Sequence, residues 1–242
     1  VRDGGQAGTS RGAKTEQDIY AAAVRLMSER GYHGTSQRSI AVAVGLQMSS
    51  LYHHFPSKQD LLVAIMTRAM QDLISTVEDA VASADGEGPE ERLRAAIRGH
   101  ILFHADRRQE AFILDSELRA LEPEGRDLVV KLRDQYEQIF VGILREGMSE
   151  GVFGVPDTKL AVFVLMAMCT GVALWYRPGG RLPLEVIADI YADLFLRGVL
   201  TSEQATGVPG RLHGPGASSG ESADTSSTQG SSRQGGGLGV TD

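Results

Sequence analysis

Three observations predict an all-α chain. Apolar residues recur at helical spacing through most of residues 15–200, no stretch alternates apolar and polar residues with β-branched enrichment, and Gly or Pro marks the breaks between periodic segments. The expected architecture is a small N-terminal three-helix domain containing a helix-turn-helix, followed by a larger helical bundle.

The 242 residues are ample for a sizeable core, and 42% hydrophobic with 23% charged residues is ordinary for a soluble globular protein. The lone cysteine, Cys169, excludes an internal disulfide framework and fits a reducing cytoplasm. No basic segment followed by an apolar run opens the chain, so no secretion signal is expected and the predicted location is cytoplasmic. A net charge of −7 taken alone argues against a nucleic-acid binder. Its distribution argues otherwise: residues 1–60 hold seven Lys/Arg against five Asp/Glu, leaving a mildly basic head (+2) on an acidic body (−9).

Residues 1–14 are Gly-rich and polar and are expected to form a flexible N-terminal arm, with Arg11 and Lys14 placed to touch phosphate. Over residues 15–30, Ile19, Ala22, Ala23, Leu26 and Met27 form one apolar helical face that Gly31 terminates. Two short helices follow in residues 35–58. Thr35 or Ser36 can cap the first, which buries Ile40, Ala41 and Val44 and stops at Gly45. The second starts near Gln47, turns Leu51 and Phe55 inward and closes at Pro56. The helix-turn-helix domain is therefore expected over 15–60, with a body over 61–200. There, helical periods run over 59–84, 92–105, 109–121 and 126–151, with Gly147 and Gly151 loosening the end of the last.

Residues 160–176 are seventeen uncharged residues, about 25 Å of helix against a bilayer core of roughly 30 Å, so a buried helix is favoured over a membrane span. With the equally apolar 184–200 they suggest an interface. Residues 201–242, with ten Gly and eight Ser, have the composition of a disordered tail.

The pattern G-Y-x-x-T at residues 31–35, I-A at 40–41, Gly45 and L-Y-H-H-F-P-S-K at 51–58 resembles the DNA-binding domain of TetR-type transcriptional repressors over roughly residues 14–65. It departs at residues 47–50, where the family more often has Ser, a basic residue, Gly and Thr. The resemblance implies a DNA-binding head, a C-terminal ligand-binding and dimerisation domain, and a homodimer joined through the last two apolar helices. The C-terminal half, including GVALWYRPGGRLPLEVIADIYADLFLRG, looks like regulators that sense acyl-CoA thioesters, with arginines meeting the CoA phosphates.

Thr35, Ser36, Gln37, Arg38, Gln47, Met48, Ser49, Ser50, Tyr52, His53 and Lys58 are the candidate contacts to double-stranded operator DNA. Thr35, Tyr52, His53 and Lys58 can donate to phosphate oxygens; Gln47 suits adenine and Arg38 guanine. The candidate effector site is Phe103, His104, Phe112, Glu117, Tyr136, Phe140, Met166, Cys169, Trp175 and Arg177, large apolar groups with a few polar tips. The same spacing also describes plain core.

No cofactor is expected. His53 and His54 are adjacent rather than at i, i+4, and no Cys or carboxylate cluster joins them, so no metal site is expected either. G-x-S-x-G, H-E-x-x-H, C-x-x-C and Walker loops are absent from the sequence. The rival reading is a thioester hydrolase or transferase using the body pocket, with His104, Asp106, Asp115 and Glu117 as the only acid–base set the sequence offers.

Overall fold

The computed structural model describes residues 6–201, and the chain there is helical, with one isolated bridge between Phe153 and Leu200. Residues 1–5 of the expected arm, and the expected tail beyond Thr201, lie outside the described residues. Helix α1 (Gln6–Gly34) begins well before Thr15, within the stretch expected to be an arm. Gly31, at φ 72°, interrupts it where the sequence placed its end.

The head follows the local chemistry of the sequence. Ser36 caps α2 (Gln37–Ala43) in a capping box: its hydroxyl accepts from the Ser39 N–H at 3.0 Å, and Ser39 Oγ accepts from the Ser36 N–H at 3.1 Å. Gly45, at φ 69°, supplies the left-handed residue that turns the chain into α3 (Met48–His54). Ile40, Leu51 and Phe55 are buried as the period requires, as are Ile19, Ala23 and Met27 on α1, and α2 packs against both α1 and α3.

A second capping box, Ser57 with Asp60, starts α4 (Lys58–Ser83), which carries the head into the body. The helix α5 (Pro89–Asp106) forms the axis of the body. Around it pack α4, α6 (Arg108–Ser116), α7 (Pro123–Ser149), α8 (Thr158–Thr170), α9 (Val172–Trp175) and α10 (Leu184–Val199). Arg94 pairs with Asp193 at 2.5 Å and Arg98 with Asp189, fastening α10 to α5. Gly147 does not loosen α7. It is buried inside the helix, and a Cβ there would collide with the Phe153 ring, so its bareness seats that ring. The body closes at Thr201, whose N–H donates to Val152 O at 3.1 Å.

The stretch Thr158–Trp175 is long and apolar enough to cross a membrane by composition, yet only 22% of it is buried within one chain. Asp157 caps its start through the Lys159 and Leu160 N–H groups. Leu160, Phe163, Val164 and Leu174 on this stretch, with Leu194 on α10, leave an apolar face that the single chain does not cover.

Candidate functional site

On the head, the predicted contact residues divide by what they already hold. Arg38, Gln47, Ser49, Ser50, Tyr52 and His53 are exposed, and Met48 is half-buried. Gln47 precedes α3 without capping it, so its amide is not spent on the helix end. Thr35 is different: it is buried, and its one O–H is shared between two acceptors, Leu26 O at 3.0 Å and Gly31 O at 2.9 Å. Lys58 donates to Tyr32 O and Thr35 O, both at 2.9 Å, with its ammonium 3.9 Å above the Tyr32 ring. Gln37 donates to Phe55 O at 3.1 Å, tying α2 to the end of α3, and Ser36 is spent on its cap. Thr35, Ser36, Gln37 and Lys58 therefore help hold the helix-turn-helix in shape, Ser36 as the cap that the sequence suggested.

In the body, an inner chamber of about 130 Å³ lies between α4, α5, α6, α7 and α8. His100 and His104, one turn apart on α5, stack with ring centroids 4.0 Å apart on its wall. His100 Nδ1 lies 2.6 Å from Tyr136 Oη and its Nε2 lies 3.3 Å from Thr170 Oγ1, so both ring nitrogens are engaged. Met70, Leu73, Leu114 and Met166 supply the apolar lining. Arg133 donates to Leu114 O and lies 4.0 Å from Asp115.

Asp115, Met166 and Thr170 also line an outer groove of about 530 Å³, which continues past Phe112, Arg108 and Leu174. Arg108 donates to Tyr176 O at 2.9 Å, next to a third hollow of about 330 Å³ lined by Trp175, Arg177 and Arg181.

Of the predicted effector residues, His104, Tyr136 and Met166 meet in the chamber, Phe112 lines the groove, and Trp175 and Arg177 lie in the third hollow. The other four line none of these spaces. Phe140 is fully buried and meets Tyr136 edge-on, and Cys169 is core, its thiol pushed up to about 12 by burial. Glu117 faces the head, where its carboxylate accepts the Tyr32 N–H at 3.2 Å. Phe103 is buried against Arg107. Sequence reasoning missed His100, although its i, i+4 relation to His104 on one helix face was the signal available. The pair gains no third ligand, since no cluster of three metal-binding side chains occurs among the described residues.

Burial holds His104 at about 4 and His100 well below the usual histidine value, the neighbouring imidazole adding to the effect on His100. Both rings are neutral in the fold, while an unfolded chain takes up protons below pH about 6.5. Stability is thus full above that pH and is lost as pH falls towards 4, by about 3 kcal/mol for His104 alone. Asp115, raised by burial, works in the opposite direction. Urea unfolding at about pH 7.5 and pH 5 checks this: His104→Phe should lose less stability on acidification than the unsubstituted chain, and an equal loss would contradict it.

A helix-turn-helix with a free polar face, joined by one long helix to a bundle with an internal chamber, defines a DNA-binding transcriptional regulator with a separate effector domain. The chain belongs to the TetR family: the model described as bacterial regulatory proteins, tetR family, matches residues 19–65, and that described as tetracyclin repressor-like, C-terminal domain, matches residues 86–199. The HTH-type transcriptional repressor KstR2 of Rhodococcus jostii (strain RHA1) is 29% identical over 190 residues, covering 78% of this chain and 91% of that protein. Among solved structures, the TetR family transcriptional regulator PfmR from Thermus thermophilus is 34% identical with a TM-score of 0.68, over 74% of this chain and 97% of that one. AibR, solved in complex with isovaleryl coenzyme A and operator DNA, is 31% identical with a TM-score of 0.68, over 74% and 97% of the two chains. KstR2 and PfmR are named as transcriptional regulators, and the hydrolase or transferase reading finds no support among these relatives.

Proposed function

We propose that the chain acts as a homodimeric repressor in the cytoplasm, binds a palindromic operator, and is released by a small hydrophobic or acyl-CoA-type effector held in the body. The observation that carries the DNA reading is the division of labour on the head. Thr35, Gln37 and Lys58 are engaged within the fold, while Arg38 on α2, Gln47 in the turn, and Ser49, Ser50, Tyr52 and His53 on α3 stand exposed. Two such heads about 34–36 Å apart would read successive major grooves on one side of the duplex. The effector reading is supported by the run from chamber to groove to the arginines at 108, 177 and 181, which suits a molecule with an acyl end and a polyanionic end. AibR, solved with isovaleryl coenzyme A, supplies a relative with this ligand class.

The route between the two sites is short. Leu114 and Asp115 line the chamber, and α6 leads directly to Glu117, which holds the Tyr32 N–H. Gln59 adds two bonds from the head: its amide donates to Ala120 O at 2.7 Å and its Oε1 accepts from the Glu122 N–H at 3.2 Å. On the other side of the chamber, Met70 and Leu73 belong to α4, whose first turn lies in the head. An effector that fits the chamber better when the heads are displaced weakens DNA binding by that same differential affinity.

Operators selected from random-sequence DNA provide the test. Tyr52→Ala should weaken binding on all sequences with the salt slope unchanged, because the phenol donates to phosphate without carrying charge. Gln47→Ala should relax preference at one base pair, at a cost of about 1–3 kcal/mol. Unchanged affinity and selectivity in both variants would remove α3 as the reading helix.

A further inference from the structure

The inner chamber presents a hydrogen-bond acceptor that the fold leaves unused. His104 Nδ1 lies 3.0 Å from the carbonyl oxygen of His100. A carbonyl only accepts, so Nδ1 carries the proton and donates, and Nε2 of the neutral ring keeps a free lone pair. Burial keeps the ring neutral across the physiological range. His100 differs, because Tyr136 and Thr170 engage both of its nitrogens. The His104 side chain is 4% exposed and lines the chamber, and among the described residues its ring nitrogens have no hydrogen-bond partner other than the His100 carbonyl. That lone pair belongs to a ring on the chamber wall, so a ligand that fills the chamber without offering a donor forfeits about one hydrogen bond, and the matching group is a donor.

We infer that the effector inserts a hydroxyl-bearing acyl group into the inner chamber, its O–H donating to His104 Nε2 while Met70, Leu73, Leu114 and Met166 cover the chain carbons. This rests on the acyl-CoA reading above and names the chemistry of the acyl part. A saturated chain strands the acceptor. A carboxylate-tipped chain sets its own lone pairs against that of the ring. His104 is then the residue that sets acyl specificity, although it contacts neither DNA nor the nucleotide end of the effector.

Calorimetric titration of the full chain with hexanoyl-CoA and with its 3-hydroxy, 5-hydroxy and 6-hydroxy derivatives tests this. At least one hydroxylated thioester should bind roughly ten- to a hundred-fold more tightly than hexanoyl-CoA. The preference should vanish in His104→Phe and survive in part in His104→Gln, whose amide oxygen can still accept. Hexanoyl-CoA binding as tightly as every hydroxylated form overturns the inference and leaves the acyl-CoA reading intact. A hydroxyl preference unchanged in a folded His104→Phe chain also overturns it. Failure of all four thioesters to bind removes the acyl-CoA reading and the inference with it. Should His104→Phe not fold, the comparison within the unsubstituted chain decides.

Discussion

Replacing Phe163 and Leu194 together by glutamate is expected to give a monomer that still folds and that binds an operator about 10²–10⁴-fold more weakly. Both side chains stand on the apolar face left open by α8, α9 and α10, where Leu174 is 81%, Leu194 60% and Leu160 58% exposed in the single chain. Large apolar side chains left exposed on helices are what an association interface uses, and a second copy of the same helices satisfies them with two-fold symmetry. Because neither side chain is buried within the chain, the substitutions leave the core intact. In a dimer they would bury four carboxylates without partners, a cost that association cannot offset. Without the dimer, the second head no longer benefits from the high effective concentration that the first one confers. Sedimentation equilibrium together with operator titration reads both effects. A dimer persisting in the double variant would move the interface elsewhere.

The second large effect is expected from Lys58→Ala, and it should appear as instability rather than as a lost phosphate contact. The Lys58 ammonium serves two carbonyls at the end of α1, those of Tyr32 and Thr35, and caps the Tyr32 ring. Its removal takes the side-chain donor from Thr35 O and leaves Tyr32 O with only the Thr35 N–H at 3.2 Å, where α1 meets α2 and α4. The expected loss is about 2–4 kcal/mol, concentrated in the head. Operator affinity should fall because fewer heads are folded, with the salt slope unchanged. Tyr52→Ala should instead leave melting unchanged while weakening operator binding, also with an unchanged slope, because a phenol carries no charge. Circular dichroism melting separates the two, and titrations at several salt concentrations check the slope. Unchanged melting in Lys58→Ala with a slope lowered by about one would return the residue to the DNA interface.

Lys58 also shows where sequence reading stops. The architecture was legible because its determinants are local: the Ser36 cap, the left-handed Gly45, the spacing of Ile40, Leu51 and Phe55, and Pro56 as a stop. What a donor reaches is not local. Beside a reading helix, an ammonium or hydroxyl has the same sequence neighbours whether it faces phosphate or a buried carbonyl. Lys58 finds its carbonyls 26 and 23 residues away, and Thr35 finds Leu26 O nine residues back. Glu117 meets Tyr32 across 85 residues, a distance no periodicity reports, so a residue read as part of the pocket is instead a link to the head. The chamber was legible in part. Tyr136 and Met166 follow from bulk and helical phase, but the choice among Phe140, Cys169 and their neighbours depended on which helix each one faces. Only the packed bundle settles that, and it places Phe140 and Cys169 in the core. The uncharged run over 160–176 suggested a buried helix and an interface; only 22% of Thr158–Trp175 is buried within one chain, which leaves apolar surface for an interface to cover.

Regulation of DNA by a ligand in the body is read most simply by an operator titration with and without effector, using DNA selected from random sequence and the intact chain. The expected result is a palindromic operator bound by one dimer, and release of that DNA as an acyl-CoA thioester is added, with no turnover of the thioester. Selection yielding no enriched sequence, or hydrolysis of the thioester without any effect on bound DNA, would contradict it.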